Sequence, residues 1–203
     1  MAMGLTLGLG SALAQPHDML SVTVRIHDYV GIPTACMTSA QENVKDLYAA
    51  IGVNTIWAET KQPGKSLEPA AKYIPGELLI NIVTPAMSRR MGVAEHTLGV
   101  AAVTLLSGGK IAYLLFERIR HVALSSGGEA ADILGLVIAH EMGHLLLPYG
   151  SHSENGLMRP SWRPEDFTLG SPQPAFTQAQ ADGIRELLRG VAHHASDRPQ
   201  TAE

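Results

Sequence analysis

Within a long apolar stretch stands His140-Glu141-Met142-Gly143-His144. Two His residues four apart project from one face of a helix, and imidazoles on adjacent turns can reach one zinc ion at about 2.0–2.1 Å each. The Glu between them is aimed at a water filling an open coordination position. There it can act as general base while the metal lowers the water's pKa to about 7 and polarises a carbonyl. Such a set performs hydrolysis without a protein nucleophile or a covalent intermediate. At this composition the pattern arises by chance in about 2% of chains of this length. Chance is also opposed by physics, because two His and an ionisable Glu are costly to bury in an apolar helix unless something compensates them.

A third ligand is required, and His152 is the leading candidate, since Pro148, Tyr149 and Gly150 form a short turn able to bring it back towards the metal. Glu154 reads as solvated, and His17, His27, His96, His121, His193 and His194 lack useful spacing. The single Cys36 excludes an internal disulfide and a thiolate zinc site and reads as a small buried residue. The metal must therefore be held by His and carboxylates. One catalytic Zn2+ suits that donor set best, with iron or cobalt open to the same residues.

The stretch from His140 through His152, Ser153, Gly156, Leu157, Met158 and Trp162 resembles the metzincin clan of zinc peptidases and is similar to a group of bacterial metzincin-like proteins. Ile51-Gly52-Val53 and Trp57 look like the same group, so the resemblance covers about Ser21 to Leu188, although only the metal motif is specific. It implies His152 as third ligand and Met158 as a hydrophobic floor below the metal, set in a tight turn. It also implies that Leu98 to Val103 is an edge strand along which an extended peptide could pair. The sequence departs from the wider clan twice. Leu147 and Gly150 stand where the clan has Gly and the third His, so His152 arrives two residues late, and Pro160 stands where some members carry a transition-state Tyr, a role open to Tyr149. Likeness to the other large zincin class would instead make Asp182 or Glu186, on a later helix, the third ligand.

To position these residues the chain must build a buried helix and a sheet beside it. Ser126-Gly127-Gly128-Glu129 reads as a capping box opening a helix that runs to about Leu147. Ile133, Leu134, Leu136, Val137, Ile138, Leu145 and Leu146 surround that helix, which predicts burial within the domain. Upstream, Ser21–Asp28 alternates as a half-buried strand, Pro33–Ile51 has helical spacing stopped by Gly52, and Val53–Ala58 is a second strand. Leu78–Thr84 suits a central strand buried on both faces, followed by strands at Leu98–Val103 and Lys110–Phe116. Thr177-Gln178-Ala179-Gln180 is a second capping box, opening a terminal helix with Ile184, Leu187 and Leu188 inward. The expected fold is α/β: a mixed, twisted sheet of about five strands, one backing helix, the long active-site helix, a loop-rich C-terminal part and a terminal helix.

The 203 residues fit one domain, expected over 15–192, with a disordered tail at 193–203. A net charge of -4 without a basic run offers nothing to nucleic acid or an anionic membrane. Met1–Ala14 is apolar and ends in Ala12-Leu13-Ala14, as an export signal does, but lacks the basic leader; either a start codon lies upstream or the signal is fragmentary. It is too short to span a bilayer. The expectation is a monomeric zinc metallopeptidase, secreted or periplasmic, acting on a peptide or protein. A zinc hydrolase of a non-peptide amide or ester and a non-catalytic binding protein on the same fold are the alternatives, the second disfavoured by the presence of Glu141.

Overall fold

The computed structural model describes residues 19–58, 76–103, 109–148, 151–168 and 170–196. The expected export signal and Tyr149 lie outside them. The chain runs β1 (Leu20–Asp28), α1 (Thr34–Ala49), β2 (Val53–Ala58), β3 (Glu77–Ile82), α2 (Pro85–Met91), β4 (Gly99–Val103), β5 (Lys110–Leu114), α3 (Phe116–Ser126), α4 (Ala130–Leu146), a single 3-10 turn at Pro164–Phe167, and α5 (Gln178–Ser196).

The five strands form one mixed sheet in the order β2-β1-β3-β5-β4, with β4 antiparallel to β5 at the edge and the other neighbours parallel. The fold is thus the mixed α/β architecture expected. Alternation puts Val22, Val24 and Ile26 of β1 on the face that meets the helices, beside Ile80, Ile82, Ala112 and Leu114. β3 is buried on both faces, as its unbroken apolar run requires. Helices α1 and α4 pack together beneath the sheet, and the buried Tyr48 of α1 donates its hydroxyl to the Ala139 carbonyl of α4 at 3.2 Å. Helix α4 is buried around nearly its whole circumference, so its residues are fixed by packing on every side.

Two sequence expectations need correction, and two helices were not foreseen. Ser126 does not cap α4. It is the last residue of α3, its hydroxyl donates back to the Val122 carbonyl at 2.8 Å, and Gly127 at φ +72° turns the chain away before Glu129 starts the next helix without a side-chain cap. Helix α3 escapes notice because only Phe116, Ile119 and Ala123 form its buried stripe. Helix α2 buries no residue at all and is marked only by its Thr84 cap, Pro85 and Gly92. Finally, α5 continues through Ser196, into the tail expected to begin at residue 193. Among the described residues no helix is long and apolar enough to cross a membrane.

Candidate metal centre

Helix α4 presents His140 and His144 one turn apart, and the chain after the helix returns to place His152 beside both. The His140 and His144 rings have centroids 4.7 Å apart, and His152 stands 5.6 Å from the first and 4.6 Å from the second. One ring nitrogen from each lies within 4.8 Å of the other two. The turn at 151–158 thus brings His152 to the helix face despite the two-residue delay.

The tautomer of His140 follows from its partner. Its Nδ1 lies 2.8 Å from the Leu157 carbonyl oxygen, which can only accept, so Nδ1 carries the hydrogen and Nε2 presents its lone pair. That Nε2 stands 3.0 Å from His144 Nε2, while Ser151 Oγ lies 3.3 Å from His144 Nδ1. Burial holds His140 below the usual imidazole range, with the Leu157 hydrogen bond opposing and His152 assisting. Burial, and then His140 and His152, lower His144 to about 4. Both rings are therefore neutral, the state a metal requires.

Zinc fits this arrangement. Two ligands on a tetrahedral ion at about 2.05 Å stand about 3.3 Å from each other, close to the 3.0 Å between the two Nε2 atoms. Three imidazoles without a thiolate are the donor set of an open zinc site. The rival ligands sit elsewhere: Asp182 pairs with Arg185 and Gln178 along α5, while Glu186 and Glu154 are exposed. Among the described residues, His27, His96 and His121 join no such cluster.

Glu141, one residue along the helix, is only 5% exposed and faces β4. Burial raises its carboxyl to about 8, and an Ala101 N–H hydrogen bond works in the opposite direction. A side chain on Gly99 would strike it: a Cβ there would stand 2.5 Å from Glu141 Oε1. The absent side chain is what allows the edge strand to close over the carboxylate. Met158 is fully buried, with its sulfur against Gly143, where a Cβ would collide with it. Gly143 therefore lets Met158 seat directly against the helix between the turns that carry His140 and His144. The Trp162 ring meets His140 edge to face at 5.3 Å and Phe167 at 5.5 Å, bracing the imidazole from outside.

The site opens into a cavity of about 1280 Å³ bounded by β4, α3, α4 and the segment around Pro160 and Trp162. Sequence reasoning brought the three His and Glu141 to one place but did not find Gly99, Ser151 or the Leu157 carbonyl as their supports. Gly99 gave a faint signal as a glycine inside an apolar strand, where close backbone approach is one of the few reasons for it.

No protein-family model matches this chain, and no curated protein matches its sequence. Among solved structures it is similar to metalloproteinase-II from Bacteroides fragilis, with 13% identity and a TM-score of 0.48 over 86% of this chain and 55% of that one. The chain thus spans about half the length of that protein. At this level of likeness the centre stands on its own geometry.

Proposed function

We propose that this protein is a zinc-dependent metallopeptidase of metzincin-like build, with His140, His144 and His152 as ligands and Glu141 as general base. The observation that carries the reading is the convergence of three imidazole nitrogens within 4.8 Å, beside a buried carboxyl, under the edge strand of the described sheet. A bound zinc ion supplies Lewis-acid chemistry, acidifying a water and polarising the scissile carbonyl. Glu141 accepts the proton of the attacking water and returns it to the leaving amine. His140 is held in the ligating tautomer by Leu157, and His144 is braced by Ser151.

A peptide substrate is favoured over a small amide or ester by the shape of the approach. Small-molecule pockets run to about 300–1,000 Å³, whereas this cavity is larger and runs beneath β4 from Leu98 to Ala102. Among the described residues β4 is the edge strand, with one side free of strand partners, and an extended chain can add to it through backbone hydrogen bonds. The apolar opening of the sequence fits export, which the N-terminus of protein recovered from outside the cell would establish.

The test is a mixed peptide library incubated with zinc-loaded wild type and with Glu141→Gln, cleavage being read by mass spectrometry and zinc by elemental analysis. The expected result is one zinc per chain in both and cleavage in the wild type alone. Zinc binding without cleavage of any peptide overturns the peptidase reading, and equal cleavage by the two proteins overturns the role of Glu141.

A further inference from the structure

The N-terminus of α5 is tied to the loop that carries His152, and one side chain makes the tie. Gln180 is 8% exposed. Its Oε1 accepts from the Thr177 N–H at 2.9 Å, and its own N–H donates to Thr177 Oγ1 at 3.3 Å, forming the capping box. Its Nε2 is engaged separately, donating to the Ser151 carbonyl at 3.1 Å and to Ser153 Oγ at 3.0 Å. Those acceptors belong to the residues immediately before and after His152. The loop is closed further by Ser153 N–H donating to the Met158 carbonyl at 2.9 Å and by Leu157 N–H donating to the Ala175 carbonyl at 2.8 Å.

Capping alone does not call for Gln. Glu fills the same place in a capping box, and its negative charge is favoured at a helix N-terminus. What Glu lacks is the NH2 group, and here both of its hydrogens are used on the ligand loop. Resting on the metal reading above, we propose that Gln180 is a positioning residue for the third ligand. It clamps the backbone on one side of His152 and the side chain on the other, so that the ligand is ordered before metal arrives. Without the clamp, a loop that is neither helix nor strand must be ordered at the expense of binding free energy. Loss of partners that orient ligands costs typically 10–100-fold in metal affinity.

The experiment measures the zinc dissociation constant by competition with a chromogenic chelator, and the visible spectrum of the cobalt-substituted protein, in wild type, Gln180→Glu, Thr177→Ala and His152→Ala. Gln180→Glu keeps the acceptor that caps α5 but removes both donor bonds. It is expected to keep the wild-type circular dichroism, to bind zinc about 10–100-fold more weakly, and to show altered cobalt bands. Thr177→Ala removes one half of the cap and leaves the clamp, so its zinc affinity stays within about threefold of wild type. Zinc affinity and cobalt bands unchanged in Gln180→Glu overturn the proposal, as does a loss in Thr177→Ala equal to that in Gln180→Glu, which would make the role one of helix stability. Should Gln180→Glu fail to fold, Gln180→Met decides on the same readouts against Thr177→Ala, which shares its loss of the cap but keeps the clamp. Weaker zinc binding in Gln180→Met than in Thr177→Ala supports the clamp, and equal binding overturns it. Failure of the metal reading itself is distinct, since wild type and His152→Ala would then both bind no zinc.

Discussion

Gly99→Ala is the most incisive single change to the proposed mechanism, because it adds one methyl group whose collision partner is the general base. The new Cβ would stand 2.5 Å from Glu141 Oε1, 2.7 Å from Cγ and 2.8 Å from Cδ. Ordinary contact lies near 3.5 Å, so something must yield by about 1 Å. Strand β4 is poorly placed to do so. It is paired with β5, the Leu115 N–H donates to the Leu98 carbonyl at 2.9 Å, and the Arg118 guanidinium holds the Thr97 carbonyl at 2.8 Å and that of Ala94 as well. The backbone of α4 is buried on all sides. The carboxyl itself must therefore move.

A displacement of about 1 Å in a catalytic group costs on the order of 100-fold in rate, equivalent to about 2.7 kcal/mol of transition-state stabilisation. Overpacking adds about 1–3 kcal/mol of destabilisation, which lowers the melting temperature by roughly 2–4 °C per kcal/mol in a domain of this size. The assay is kcat/KM on a fluorogenic peptide that the wild type cleaves, with zinc content measured on the same samples. Ile56→Ala is the control, since Ile56 is 44% exposed on β2, at the other end of the sheet from β4, and its kcat/KM should match wild type. If Gly99→Ala keeps its zinc and retains kcat/KM within about threefold, the carboxylate does not act from the position described.

Zinc added to metal-free protein at about 1,000 times its dissociation constant should stabilise the fold by about 4 kcal/mol, visible as a thermal shift reversed by EDTA; no shift would mean that no metal binds. Gly143→Ala should cost about 1–3 kcal/mol by driving Met158 out of its seat, and Met158→Ala in the same chain should recover part of the loss in urea unfolding. In EDTA, the folded state retains a proton on Glu141 up to about pH 8 that the unfolded chain releases near 4.5, so this group's contribution to stability declines as pH rises through that window. Glu141→Gln removes the decline and should be more stable than wild type at pH 8 by roughly 3–5 kcal/mol; parallel pH profiles of the two urea midpoints would refute the burial argument.

What could be read from the sequence divides along a physical line. His140, Glu141 and His144 were legible because helical periodicity alone brings them together, and the strands were legible because burial of one or both faces writes a period into the chain. Helix α2 was not, since it buries nothing and so leaves no periodicity. The supports of the site were hidden for a different reason: each is a contact between segments far apart in the chain. Gly99 is small because of Glu141, Gly143 because of Met158, and Gln180 is an amide because of Ser151 and Ser153. In each case the local pattern was satisfied by a blander explanation, a strand glycine, a helix glycine or a helix cap. Gln180 shows how such residues can still be detected. A capping position rewards a negative charge, so a neutral amide there signals that its hydrogens are engaged elsewhere. In this chain they hold the loop whose His152 must meet a helix ending several residues before it.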